Sequence, residues 1–289
     1  MQKFLEQLRW YILGLLFVST IFIWYAVIRE DRQGILTIAF LDVGQGDAIY
    51  IEAPNGNQML IDGGPPKAIL SALRKVMPFY DRSIDMLLVT NPDKDHIAGF
   101  IDVLANFKVN AVVEPGTDSP TAIYTELERT IAEKKLPKIL VHRGQIIWLD
   151  KKNSIGFQIL FPDRDISGLG TNDGSIVGKL IYGNTSVMFT GDSPEKIERY
   201  LALLDGAKLK SDVLKVGHHG SRTSTSEEFV GFVAPTYAVI SDGKGNNYGH
   251  PHQETLATLQ KFGVKFFRTD ALGTIVMSSD GNLVNFRTR

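Results

Sequence analysis

Residues 87–99 read LLVTNPDKDHIAG, and no other stretch so narrows what the chain can become. The apolar run ending at Thr90 predicts a buried strand. An amphipathic helix is expected to begin near Ile97, with Ile97, Ile101 and Leu104 on its core face. The turn between them holds Asn91, Asp93, Asp95 and His96, each able to offer nitrogen or oxygen to a metal. Two carboxylates and an imidazole this close to the end of a buried strand desolvate one another, and the carboxylates repel. Capping the helix would need only one aspartate. A bound cation removes the cost of the crowding, so the turn reads as half of a metal site.

The flanking sequence alternates strands and helices. ILTIAFLDV predicts a strand that leads into the glycine-rich turn GQGDA. DAIYIEA and QMLIDGG then flank PNGN, a hairpin pattern, before a helix at about residues 67–77 and the strand IDMLLVT. A second series has the same order. SIVGKLIYGNTSVMFTGD is a hairpin ending in Gly191-Asp192, followed by a helix from Pro194 to about Leu204. The strand SDVLKV, the polar turn GHHGS and a helix from about Ser226 to Val233 come next. This is a repeat of architecture without a repeat of sequence. Two such halves, stacked sheet on sheet with helices outside, make an α/β four-layer αββα sandwich whose polar turns share one edge.

VNAVVEP, IIWLD, SIGFQILFP and YAVIS are further strands, and PTAIYTELERTIAEKK is a helix. Pro251 opens and Gly263 closes a helix over HQETLATLQKF, and VKFFRTD, TIVMSS and LVNF are closing strands. No low-complexity linker interrupts residues 34–289, which are expected to form one domain.

Residues 1–33 differ in kind. From Trp10 to Ile28 there is no charge, close to the ~20 apolar residues that cross a bilayer core. Trp10 and Tyr11 stand at one end, and Trp24 and Tyr25 near the other, where membrane interfaces favour aromatic rings. The stretch lacks the short core and small-residue cleavage site of a signal peptide, and it is apolar on every face. A single-pass membrane anchor is expected. Lys3 and Arg9 before it balance Arg29 and Arg32 after it, so charge leaves the orientation open. The formal net charge of −1 provides no global field for nucleic acid, and the absence of cysteine excludes disulfides and thiolate zinc sites.

Five of the six histidines, all but His142, fall in or beside strand-to-helix turns. Asp192 ends an apolar strand, and His218 and His219 follow another. Asp93, Asp95, His96, Asp192 and His218 or His219 can therefore enclose one or two divalent ions. Imidazole with carboxylates and no thiolate suits zinc or manganese, or iron. Such a Lewis-acid site makes hydroxide from water near neutral pH, and an ion pair clamps the oxygens of a phosphodiester.

In order, DVGQGDAIYIEAPNGNQMLIDGG, TNPDKDHIAG, TNDGSIV, FTGD, VLKVGHHGS and NNYGHPH resemble the metallo-β-lactamase-fold domain of ComEC-type competence proteins. Those are bacterial membrane proteins that import transforming DNA. The resemblance runs from about residue 35 to the C-terminus. It implies a metallo-hydrolase, a phosphodiesterase or nuclease role on incoming DNA, and a body outside the cytoplasmic membrane. It also implies metal ligation by Asp93, Asp95, His96, Asp192 and a member of the His218-His219 pair, with Asp192 bridging. ComEC-like sequences usually read H-x-D-x-D-H where this chain begins with Asn91, a weaker ligand that bears on one of two metal positions. Their helical channel region has no counterpart in these 289 residues, so the expectation is a tethered relative of the hydrolase domain.

The remaining candidates surround that set. His218 and His219 are expected to point opposite ways on extended backbone, one ligating and one orienting its neighbour, with His218 preferred. Asp47 and Asp62, beside Gly46 and Gly63, are expected to support the site from behind. Asn172, Asp173 and Ser175 are candidates for substrate or supporting contacts, as are Ser221 and Arg222. His250 is placed beside Asp95 and Asp192 as catalytic, with His250 or Arg222 assisting the leaving oxygen; Lys215 and Lys244 are read as solvated. The expected reaction is hydrolysis of a DNA phosphodiester by metal-bound hydroxide. The alternatives are hydrolysis of a lactone or β-lactam, or a non-catalytic domain that binds DNA or a partner.

Overall fold

In the computed structural model, which describes residues 2–30 and 32–289, the apolar runs become two stacked sheets. Helix α1 (Gln2–Glu30) precedes them, and its stretch Glu6–Trp24 is long and apolar enough to cross a membrane, with none of it buried. The expected link over residues 29–34 includes Asp31, which lies outside the described residues.

The elements then follow as β1 (Leu36–Phe40), β2 (Ile49–Glu52), β3 (Gln58–Ile61), α2 (Ala68–Val76), β4 (Ser83–Leu88), α3 (Lys94–Asn106) and β5 (Lys108–Glu114). Next are α4 (Ala122–Glu133), β6 (Lys138–Leu140), β7 (Ile146–Asp150), β8 (Ile155–Phe161), β9 (Val177–Tyr182), β10 (Thr185–Phe189) and α5 (Glu195–Asp205). The chain closes with β11 (Val213–Lys215), α6 (Glu227–Val233), β12 (Tyr237–Ile240), α7 (Gln253–Lys261), β13 (Lys265–Arg268), α8 (Thr269–Leu272), β14 (Ile275–Ser279) and β15 (Val284–Thr288).

One sheet runs β15-β14-β1-β2-β3-β4-β5-β6 and the other β13-β12-β11-β10-β9-β8-β7. Between them lies an apolar layer that includes Ile38, Phe40, Ile51, Phe157, Phe189 and Val239. The outer face of the first sheet packs under α2, α3 and α4 through Tyr50, Leu73, Phe100 and Leu127. The second packs under α5, α6 and α7 through Met188, Leu201, Phe229 and Leu259. The four-layer αββα sandwich of the metallo-β-lactamase fold is therefore present. The division into halves is less clean than the repeat suggests. The closing strands β14 and β15 return to the first sheet, where β14 pairs with β1, and the three-residue strand β6, exposed along its length, adds an edge that the repeat does not include.

Sheet polarity places the site. β3, β4 and β5 are parallel to one another, and β10, β11 and β12 are parallel in the facing sheet. Their carboxyl ends share one edge, and the loops carrying the polar turns leave from there. The turn after β3 is pressed against the start of α3, where Gly63 N donates to His96 O at 2.6 Å and Gly99 N to Gly64 O at 2.9 Å. A Cβ on Gly99 would stand 1.9 Å from Gly63 O, a backbone atom with nowhere to go. Gly99→Ala is therefore expected to lower stability by roughly 1–3 kcal/mol, measured by urea unfolding, by prising the His96 turn off the sheet.

Candidate metal centre

The LLVTNPDKDHIAG segment delivers its side chains as strand, extended turn and helix start. Asn91 Oδ1 accepts from Asp93 N at 2.9 Å and its amide nitrogen faces Ser175 Oγ at 3.4 Å, so both ends of the amide engage protein groups. Asp93 occupies the N-cap position of α3 without a side-chain cap bond; its carboxylate accepts instead from Thr171 Oγ1 at 2.9 Å. Capping thus does not explain Asp93.

His96 is wholly buried in the first turn of α3. Its Nδ1 donates to Asp62 Oδ2 at 2.8 Å, and Asp62 is itself held by Thr90 N at 2.8 Å and Thr90 Oγ1 at 2.5 Å. That arrangement fixes the ring and leaves Nε2 aimed at Asp192 Oδ2, 3.1 Å away. Asp192 comes from the end of β10 through Gly191, whose φ of +51° turns the chain inward.

Beyond β11 the backbone contradicts the extended geometry expected at His218 and His219. Both residues are left-handed, with φ of 47° and 55°, and the turn is tied to the Asp192 loop by His218 N donating to Gly191 O at 3.1 Å. Both rings therefore reach Asp192 rather than diverging. His219 is the buried one. Its Nδ1 donates to Ser241 O at 3.0 Å, and its Nε2 lies 3.3 Å from Asp95 Oδ2 and 3.6 Å from Asp192 Oδ1. His218, partly exposed, has Nε2 3.6 Å from Asp192 Oδ2 and Nδ1 3.1 Å from Thr223 Oγ1.

Behind the turn, Asp47 Oδ1 stands 3.3 Å from His219 Nδ1, while its other oxygen pairs with Lys215 Nζ. Lys215 is not the solvated lysine the sequence suggests: it is 1% exposed, because its strand is interior to the sheet and Asp47 neutralises it. Asp47 and Asp62 thus stand behind His219 and His96.

The electrostatics converge on a shortage of positive charge. Burial opposes charge on His96, but Asp192 and Asp62 outweigh it and push its pKa well above the usual histidine value. His219, also disfavoured by burial, is pushed up to about 10 by Asp192 and Asp47. Burial likewise opposes ionisation of Asp192, yet His96 and His219 hold it well below the carboxylate range. Protons are drawn onto the two rings because the carboxylates demand a cation, a demand that a divalent ion also meets. His96 Nε2, His219 Nε2 and Asp192 Oδ1 are buried with no hydrogen-bond partner. Asp95, His96 and His219 offer atoms within 4.8 Å of one another, as do Asp47, Asp192 and His219. This nitrogen and oxygen donor set fits a divalent metal.

A pocket of about 170 Å³ opens over these groups, lined by Gln45, Asp93, Asp95, Asp192, His218, His219, Tyr248 and His250. His250 Nδ1 is 3.5 Å from Gln45 Nε2, and its ring stacks on Tyr248 at 5.6 Å. Burial, reinforced by the neighbouring His219, His218 and His252, pulls the His250 pKa down to about 4.

Several expected residues lie elsewhere. Asn172 and Asp173 form a single turn that does not line the pocket, and Asp173 pairs with Lys196 Nζ at 2.5 Å. Thr171, not singled out in the sequence, makes the contact from that loop, and Ser175 is buried against Asn91. Ser221 is buried, with Oγ 3.0 Å from Thr223 Oγ1. Arg222 lines a separate cleft with Arg199, Ser224 and Glu254, because the turn after His219 carries it over the helical face. Gln45 and Tyr248 also line the pocket from within the motifs DVGQGDA and NNYGHPH, where neither residue type marks a site by itself.

Residues 41–241 match the metallo-beta-lactamase superfamily. The chain belongs to that superfamily. Within it, the chain is 31% identical over 255 residues to ComE operon protein 3 of Bacillus subtilis (strain 168), covering 82% of this chain and 32% of that protein. It is 29% identical over 238 residues to competence protein ComA of Neisseria gonorrhoeae, covering 81% of this chain and 31% of that protein. The chain thus spans about a third of the length of these curated relatives. The solved structure of CmlA, a diiron beta-hydroxylase from Streptomyces venezuelae, matches with a TM-score of 0.54 at 14% identity, covering 88% of this chain and 54% of that one. That likeness is one of fold.

Two measurements follow from the geometry. Asp62→Ala, which frees the His96 ring, is expected to weaken zinc or manganese affinity about 10–100-fold by isothermal titration. Glu198 on α5 accepts Thr225 N and Ser226 N, both at 2.7 Å, beneath the His218 turn, and burial raises its pKa to about 7. A buried acid with a raised folded pKa holds its proton more tightly folded than unfolded, so stability declines as pH rises from about 4.5 through 7. Glu198→Gln should flatten that segment of the stability–pH curve.

Proposed function

We propose that this chain is a metal-dependent phosphodiesterase that cleaves DNA, its body at residues 34–289 anchored by α1 as a single-pass span. The observation that carries the reading is the set of buried, unpartnered donor atoms on His96, His219 and Asp192, gathered with Asp95 at the floor of an open polar pocket. In this reading Asp95, His96, Asp192 and His219 hold the ion, with His218 beside Asp192 Oδ2 at the pocket side. A divalent ion there supplies Lewis acidity toward a phosphoryl oxygen and lowers the pKa of a bound water. Asn91 stands apart, its amide oxygen already used by the turn, which favours one occupied ion position over two.

The chain's own residues do the positioning. Asp62 and the Ser241 carbonyl hold the two buried rings with their Nε2 atoms toward the pocket. His250, neutral at physiological pH, sits at the rim where its ring can donate to a phosphoryl oxygen, and an arriving phosphate anion raises its pKa toward proton transfer. Tyr248 is 66% exposed beside it, a flat face on which a nucleobase can stack. Likeness to a competence protein supports DNA as the polymer in this reading. By the same resemblance the body lies on the extracytoplasmic side.

The test uses the purified full chain with manganese or zinc on single-stranded DNA, duplex DNA, a chromogenic phosphodiester and a chromogenic lactam. DNA cleavage is expected, with Asp95→Ala and Asp192→Ala each losing ~10³-fold, the worth of several kcal/mol of Lewis-acid stabilisation. His250→Ala should lose about 10²-fold with metal content unchanged, as for a proton-transfer group. DNA left intact with both metals while the lactam is turned over would reject the reading.

A further inference from the structure

The end of the sandwich opposite the metal pocket is built from four hairpin turns, and they are tied to one another. The β9–β10 turn bonds the β14–β15 turn through Asn184 N to Gly281 O at 2.6 Å and Asn184 Nδ2 to Asn282 Oδ1 at 3.0 Å. The β2–β3 turn reaches the strand before the β7–β8 turn, where Asn55 and Asn57 both donate to Leu149 O, at 2.9 Å and 2.7 Å. The chain also enters the sandwich at this end. Tyr182 Oη donates to Gly34 O at 2.7 Å, and Arg32 pairs with Glu52 at 2.6 Å. Leu36 begins β1 here, six residues after Glu30 ends α1 and so within ~20 Å of it along the chain.

The chemistry of this end is that of a lipid interface. Lys151 and Lys152 are exposed, and neither ammonium has an acidic partner among the described residues. The nearby acids are otherwise occupied. Glu52 is paired with Arg32, Asp150 is buried and accepts Lys152 N and Asn153 N, and Asp280 accepts Asn282 N and Leu283 N. Leu283 is 66% exposed and Trp148 44% exposed, one on each side. Gly34, Asn55, Trp148, Lys151, Lys152 and Asn153 line a groove of about 730 Å³. Lysines with apolar stems, an indole and a projecting leucine are what a headgroup layer accepts.

We propose that this four-turn end lies against the membrane, with Lys151, Lys152, Trp148 and Leu283 engaging anionic lipid headgroups, so that the metal pocket faces away from the bilayer. The inference rests on the reading of α1 as a membrane span. The connection from α1 is short and tied to the body, so whichever side the body occupies, this end is the one nearest the lipid. The pocket then stands one strand length away, roughly 20 Å, open to the aqueous phase where a long polymer passes.

The absence of cysteine allows a direct test on the full chain in nanodiscs of phosphatidylcholine with and without phosphatidylglycerol. A fluorophore is attached through Asn153→Cys or Asn282→Cys at the turn end, or through Lys244→Cys in the exposed loop at the pocket end, and quenched by headgroup-spin-labelled lipid. The two turn-end labels are expected to be quenched several-fold more than the Lys244 label. Phosphatidylglycerol should increase that quenching, and Lys151→Glu with Lys152→Glu should abolish the increase. Equal quenching at all three positions, or the greatest at Lys244, in a chain that co-elutes with the discs overturns the orientation while leaving the span intact. No effect of phosphatidylglycerol overturns the anionic-lipid contact. A chain that elutes free of the discs overturns both the orientation and the span.

Discussion

Burial of several like charges at one sheet edge is the constraint on which the rest of this molecule turns. Asp47, Asp62 and Asp192 are at most 3% exposed, and three carboxylates so placed would be unsupportable without compensation. The compensation is distributed. Lys215 answers Asp47, His96 answers Asp62 and Asp192, and His219 bridges the remainder toward Asp95. Every one of these contacts joins residues far apart in the chain, so the site exists only once both sheets are in register. The negative excess that persists draws protons onto two buried imidazoles, which is the condition under which a divalent ion is most welcome.

Holding such a cluster requires backbone that ordinary residues resist. The turn after β3 and the N-terminal half of α3 approach so closely that only glycine fits at 99, and this contact carries His96 to its place. At 218 and 219 the chain uses histidine itself in the left-handed region, a local strain of the kind found at functional sites. The apolar layers on either side of each sheet supply the stability against which such strain is tolerated.

The sandwich is polar in the geometric sense as well. Carboxyl ends of parallel strands gather the donors at one edge, and hairpin turns gather the entry from α1 at the other. The donor cluster and the entry from α1 are thus separated by the length of a strand, so the loops at the pocket can vary without disturbing the contacts at the entry. Tyr248 and His250 sit on the loop after β12, where such variation is cheapest in structural terms.

Local sequence was enough for the strands with continuous apolar runs and for the αββα layering. It also singled out Asp93, Asp95, His96 and Asp192, which the fold brings to one pocket, because each stands where a strand's hydrophobic period stops and a turn's chemistry begins. The helix α1 was equally legible, since the uncharged run from Trp10 to Ile28 needs no partner to be recognised as one long apolar helix. What sequence could not decide depends on contacts between distant segments. Whether Lys215 is solvated or buried depends on Asp47, and whether the two histidines diverge or converge depends on a left-handed turn pinned by Gly191. The path of the turn after His219 took Arg222 away, and the packing of residues 170–175 put Thr171 forward in place of Asp173. β6 is a three-residue edge strand whose side chains stay exposed, so the short Ile139-Leu140-Val141 run did not mark it as a strand; it is held by pairing with β5. Periodicity and turn chemistry are local properties and are written in the chain; burial, ring orientation and charge pairing are set by neighbours that only folding supplies.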